Sequence, residues 1–146
     1  MADTLNQAKP RPEFRNINAL SDLPHYRMPL ASIVSILHRI SGLLMLLLLP
    51  LVVWLFDKSV TSEVAFESFR SAFAAGIGFV PAWAFKLVVL GLIWAFLHHL
   101  TAGVRHVWMD VCHTVSKEDG RNSAVVVLVI SLTLTALLGA KLFGLY

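Results

Sequence analysis

Apolar residues along this chain gather in long blocks instead of alternating with polar ones. The first block covers residues 33–56 and holds no charge from Ile40 to its end. The second covers 83–106, with Lys86 near its start and an uninterrupted apolar stretch from Leu87 to Leu97. The third covers 124–143, where Lys141 is the sole charge. Each block is close to the ~20 residues a helix needs to cross a ~30 Å hydrocarbon layer. Lipid offers the backbone no hydrogen-bond partners, so a spanning segment must satisfy its own, as a helix does. The pattern predicts an all-α membrane protein with three transmembrane helices, at about 31–56, 82–108 and 123–144.

Composition strengthens this picture. Hydrophobic residues make up 57% of the chain and charged residues 14%, against roughly 45–50% and 25% in ordinary globular domains. A soluble domain is therefore excluded. The first block exceeds the ~7–15 residues of a signal-peptide core and no small-residue cleavage pattern follows it, so a retained span is expected.

The connecting segments are polar. Residues 1–30 contain Pro10, Pro12, Pro24 and Pro29 among mixed charges, which predicts an extended N-terminal arm, with the three-span anchor domain occupying 31–146. Within 57–82, apolar residues at Val64, Phe66, Phe69 and Phe73 predict a short interfacial helix over 62–73, and Pro81 suits the first turn of span two. The second connection carries "SKEDGRNS". Counting Lys and Arg by side gives eight with the N-terminal arm and second connection against four on the other face. That bias predicts the N-terminus on the inner side of the membrane and the C-terminus outside. The single cysteine, Cys112, excludes an internal disulfide and a multi-cysteine metal site. Basic residues are scattered, so nothing points to nucleic acid.

Polar chemistry collects at one membrane side. Span one opens with "SILHRISG", bringing Ser35, His38, Arg39 and Ser41 into an apolar segment. Span two closes with "HHLTAGVRHVWMD", bringing His98, His99, Arg105, His106 and Asp110 to the same depth. Ionisable residues inside a span usually face a partner or a cavity, because leaving them in lipid is costly. At about 100° per residue His99, Gly103, His106 and Asp110 share one stripe, and Ser35, His38, Arg39 and Gly42 share a face of span one. A histidine beside a glycine gap suits a ligand to haem iron. Arginine and histidine at the membrane edge suit propionates or a quinone carbonyl. Plainer roles compete: interhelical hydrogen bonding for the histidines, snorkelling for Arg39 and Arg105, and pairing or helix capping for Asp110. His98 and His99 point about 100° apart and cannot chelate one metal from a regular helix. Spacing alone leaves a redox or a transport subunit of a membrane.

The motifs "YRMPLASIVSILHRISG" and "HHLTAGVRHVWMD", with "RP" at Arg11–Pro12, resemble the cytochrome b membrane anchor of succinate dehydrogenase, respiratory complex II, in the larger of its two anchor forms. The likeness covers the chain from Arg11 onward; the last span matches only in hydrophobicity. It implies half of a heterodimeric haem-binding helical bundle, completed by a companion anchor subunit, in a bacterial cytoplasmic or mitochondrial inner membrane with the N-terminus on the cytoplasmic or matrix side. By this resemblance His99 is the axial ligand of haem b iron, while His38, Arg39 and His106 lie at the haem propionates or edge. Ser35 and Arg39 would bind ubiquinone, with Asp110 in a polar network supplying protons. The chain has no cysteine set for an iron–sulfur cluster and no flavin-binding fingerprint. Succinate oxidation would therefore belong to flavoprotein and iron–sulfur subunits held by this anchor. A menaquinone-linked fumarate reductase anchor, a haem-free structural anchor and a proton-coupled transporter subunit are the competing readings.

Overall fold

The structure is a computed structural model that describes residues 16–18, 20–22, 25–113 and 116–146. Most of the expected N-terminal arm lies outside the described residues. Five helices follow in order: α1 (Leu30–Leu47), α2 (Leu49–Val60), α3 (Glu63–Ala74), α4 (Ala82–Cys112) and α5 (Lys117–Leu142). A two-stranded hairpin, β1 (Gly76–Ile77) and β2 (Val80–Pro81), precedes α4. Three of the helices, α1, α4 and α5, are long and apolar enough to cross a membrane.

Helix α1 begins directly after Pro29, whose extended backbone (φ −65°, ψ 150°) ends the arm. The expected single helix over 31–56 is interrupted: Leu48 leaves helical geometry (φ −93°, ψ 4°) and α2 starts at Leu49. Pro50 is the cause. It has no N–H to reach the carbonyl of Leu46, and its ring crowds the preceding turn.

The chain then turns at Thr61, whose hydroxyl donates to the Asp57 carbonyl at 2.7 Å. Ser62 caps α3 by accepting from Ala65 N at 3.1 Å. Phe73 of α3 meets Phe85 of α4 edge-on, ring centroids 5.1 Å apart, so α3 folds back against the start of span two. The hairpin between them needs glycine at position 76. Its φ is +96°, and a Cβ there would strike the carbonyl oxygen of Val80.

Both later spans depart from the expected 82–108 and 123–144, one ending later and the other starting earlier. Helix α4 continues to Cys112 and stops at His113, which adopts left-handed geometry (φ 53°). Helix α5 starts at Lys117, inside the polar stretch expected as a connection. Ser116 accepts from Asp119 N at 3.1 Å, and Glu118 and Asp119 favour the positive end of the helix dipole.

The bundle packs α4 against both α1 and α5, and α1 against α5. Its centre is made of small side chains: Val34, Ala102, Ala124 and Val127 form the core. Along α5 the buried positions are Gly120, Ala124, Val127, Ser131 and Gly139. A Cβ at Gly139 would sit 2.8 Å from Leu90 Cδ1, so glycine sets how closely α5 approaches α4. Close backbone approach through small residues is the way spans associate where lipid removes any hydrophobic gain between helices. The large side chains point outward: Leu47 is 67% exposed and Trp108 64%. That inside-out distribution suits lipid and neighbouring membrane subunits, not water.

Candidate functional site

Helices α1 and α4 run antiparallel, so the start of one meets the end of the other. This brings the two polar motifs face to face. His99 of α4 packs on His38 of α1 with ring centroids 4.1 Å apart and planes 23° from parallel. His106, further along α4, sits on the other side of His38 at 5.3 Å.

The His99 ring is held by its Nδ1 atom. That nitrogen lies 3.0 Å from the backbone carbonyl oxygen of His38 and 3.3 Å from Ser41 Oγ. A carbonyl oxygen can only accept, so Nδ1 carries the proton and donates it. Ser41, fully buried, donates its own hydroxyl hydrogen to the same carbonyl at 2.8 Å. In the neutral ring the lone pair then lies on Nε2, which is the state of an imidazole ready to bind a metal. Gly42 makes this position possible. A Cβ there would lie 2.9 Å from His99 Cε1.

Two clefts flank this row of imidazoles. An apolar groove of about 430 Å³ is lined by His99, Leu100, Gly103, Val104, Val107 and Trp108, with Val111 at its end. Gly103 is the gap in its wall: a Cβ there would meet nothing closer than His38 Nε2 at 3.8 Å. A more polar cleft of about 370 Å³ is bounded by Ser35, Arg39, Arg105 and His106, with Ala31, Ser32, Ile36 and Met109 completing it. Ser35 and Arg39, adjacent on a face of α1, thus share one cavity with His106 of α4. Arg39 is exposed, with its guanidinium engaged by no described residue.

Asp110 is the one candidate that is not drawn in. It is exposed and makes no hydrogen bond or ion pair among the described residues. Helical phase puts it on the stripe, but Ala31 and Ser32 at the start of α1 already reach the cleft beside Met109. The stripe outlasts the helix it faces.

Three residues gain a place that spacing did not give them. His98 is completely buried, stacked on Trp94 at 5.5 Å, with Nδ1 3.4 Å from Ser131 Oγ of α5 and Nε2 without a partner among the described residues. Ser41 sits beneath His99. Arg105 turns away from the outer surface toward α5, donating from Nε to Ser123 Oγ at 2.9 Å and from Nη2 to the Gly120 carbonyl at 3.2 Å. The position of α5 decides the roles of His98 and Arg105, and the uniform hydropathy of that helix carries no rotational signal. Among the described residues no three His, Cys, Asp or Glu side chains converge to hold a bare metal ion.

Residues 11–138 match the family described as the succinate dehydrogenase/fumarate reductase transmembrane subunit. The chain is 32% identical over 117 residues to the succinate dehydrogenase cytochrome b556 subunit of Paracoccus denitrificans, covering 78% of this chain and 85% of that one. It is 35% identical over 118 residues to the succinate dehydrogenase cytochrome b556 subunit of Coxiella burnetii, covering 81% and 90%. Three spans, two polar motifs meeting at one end of a helix pair, and this likeness along most of the chain agree: the protein belongs to the succinate dehydrogenase/fumarate reductase transmembrane subunit family, as a membrane-anchor subunit of complex II.

Proposed function

We propose that this chain binds haem b jointly with a companion anchor subunit and helps build the site where ubiquinone is reduced with electrons from succinate. The observation that carries the reading is the 3.0 Å contact of His99 Nδ1 with the His38 carbonyl: in the neutral ring Nδ1 donates to that oxygen, which leaves the lone pair on Nε2 beside an apolar groove. A histidine that would hold haem iron needs that state, with its second nitrogen held by a carbonyl or carboxylate. The groove's apolar wall and the Gly103 gap fit a flat, greasy macrocycle. The residues present therefore fit the group.

In this reading His99 would hold the iron. His38 and His106, stacked beside it, together with Arg39, offer donors to the propionate carboxylates. Haem b, when bound, supplies a one-electron carrier. Ser35 and Arg39 bind the quinone headgroup in the adjacent polar cleft, Ser35 through its hydroxyl and Arg39 through its guanidinium. Reduction of a quinone takes up two protons with two electrons, so such donors at a membrane edge must have access to water. Asp110, exposed and next in sequence to Met109 of the cleft wall, is suited to relay protons. The iron–sulfur and flavoprotein subunits dock on this side, with the N-terminus facing the cytoplasm or matrix, in keeping with the excess of Lys and Arg there.

Purification of the intact complex tests the reading directly. A reduced-minus-oxidised spectrum with a b-type α-band, on a preparation containing flavin and iron–sulfur subunits and turning over ubiquinone, is the expected result. A complex of that composition without the band would remove the haem assignment.

A further inference from the structure

Arg105 is a buried cation without a buried anion. It is 8% exposed, and no carboxylate lies within ion-pair distance of it among the described residues. Two neutral oxygens of α5 hold the guanidinium instead: Ser123 Oγ, 2.9 Å from Nε, and the Gly120 carbonyl, 3.2 Å from Nη2. Ser123 is itself fixed, donating its hydroxyl hydrogen to the Asp119 carbonyl at 2.7 Å. These contacts orient the guanidinium but leave its charge unbalanced, and an unbalanced charge in a span is costly. The remainder of Arg105 borders the polar cleft of Ser35, Arg39 and His106. One cleft thus borders two arginines of opposite character: Arg39 exposed and unheld among the described residues, Arg105 buried with its guanidinium clamped by another helix.

We propose that Arg105 is a positioning residue of the quinone cleft, through which α5 fixes a positive charge at the wall of the site. The inference rests on the quinone reading of that cleft. Reduction adds two electrons and two protons to the quinone, the electrons coming from succinate through the complex. Whenever electrons arrive ahead of protons, negative charge develops on the headgroup oxygens. A preorganised cation in a poorly solvated wall stabilises that charge without having to rearrange. The developing anion is the counter-charge that Arg105 lacks in the chain alone. Helix α5, whose sequence shows only hydrophobicity, becomes a functional part of the site by this route.

The test uses the purified complex with R105Q, R105K and S123A, assayed with succinate and a short-tailed ubiquinone. Subunit composition and the haem α-band report integrity. R105Q, which removes the charge, is expected to lower kcat/KM by roughly ten- to a hundredfold. R105K keeps the charge and is expected to recover most of that loss. S123A keeps the charge but releases one of its holds, and should lower kcat/KM by about two- to fivefold. If Arg105 only ties α4 to α5, R105K and R105Q lose complex yield alike while kcat and KM stay at wild type; that result overturns the proposal. Should R105Q fail to assemble, S123A decides, because a wild-type kcat/KM there is equally fatal. S35A separates the two levels. Loss of quinone turnover in S35A with no kinetic effect of the Arg105 and Ser123 variants rejects Arg105 alone, whereas no effect in any of them rejects the quinone reading itself.

Discussion

The Nδ1 atom of His99 lies 3.0 Å from the backbone carbonyl oxygen of His38, and this contact couples the two spans at the atom that sets the imidazole's tautomer. Because the acceptor is main chain, no side-chain substitution at position 38 removes it. The ring's orientation therefore depends on the distance between α1 and α4, which small residues govern. Gly42 and Gly103 are the two glycines in this interface, and they meet different surroundings.

These glycines give the sharpest prediction. Gly42→Ala puts a methyl group 2.9 Å from His99 Cε1, so the ring must move or the helices must part. Haem content per complex should fall strongly. Gly103→Ala finds nothing nearer than 3.8 Å in the chain itself. It should nevertheless lower haem content, because the space over Gly103 is assigned to the macrocycle. Full haem occupancy in Gly103→Ala would show that the groove is not used.

His99→Ala should abolish or shift the b-type α-band while the three spans still insert and the complex is still recovered from membranes. The spans insert by hydropathy, to which one alanine makes little difference. An unchanged spectrum in a correctly assembled complex would falsify the ligand assignment.

Ser35→Ala should reduce turnover with ubiquinone by about tenfold or more, the range for loss of a hydrogen-bond donor to a reacting oxygen. Ser35 is half-buried at the wall of the polar cleft and outside the bundle's core, so yield and haem content should stay near wild type. A parallel fall in yield and turnover would make Ser35 a packing residue.

His98→Leu is expected to assemble as well as the parent, or better. The change removes a fully buried Nε2 that has no partner among the described residues, a defect that costs about 1–3 kcal/mol. It gives up a long 3.4 Å contact to Ser131 and the stacking on Trp94, for which the leucine side chain substitutes apolar packing. The thermal midpoint of the purified complex, followed by the haem band, measures it. A marked drop would mean that His98 Nε2 is satisfied in the assembled complex, by a water or by another subunit.

Much of this architecture could be read from residues alone, and the reasons are physical. Lipid selects for unbroken apolar length, which hydropathy reports without any knowledge of neighbours, so the three spans stand out. Antiparallel topology then places the end of span two beside the start of span one, and the pairing of "SILHRISG" with His99 follows. Helix ends are less transparent. The polar letters of "SKEDGRNS" suggest a loop, yet Ser116 and Asp119 form a cap that starts α5 within them. Pro50 marks a weak point in span one, but helices in membranes often tolerate proline, so the break at Leu48 emerges only from the backbone. His98 and Arg105 depend on α5, a helix whose apolar residues cover every face; periodicity cannot say which side meets α4. Asp110 shows the limit of helical phase, which predicts a stripe but not where the facing helix ends.

The break at Leu48 has a consequence for how this anchor sits in bilayers of different thickness. Ser35, His38, Ser41 and Gly42 all lie on α1, ahead of the break, whereas α2 packs on α3, which in turn leans on the start of α4. A bilayer thinner or thicker than the span can therefore be met by tilting α2 and α3, leaving the α1–α4 contacts in register. Complexes reconstituted in lipids of shorter and longer acyl chains should keep one haem spectrum and one KM for quinone. A spectrum that drifts with chain length would mean that span one behaves as a single rod. Otherwise, hydrophobic mismatch is absorbed at a joint on the side of the membrane away from the chemistry.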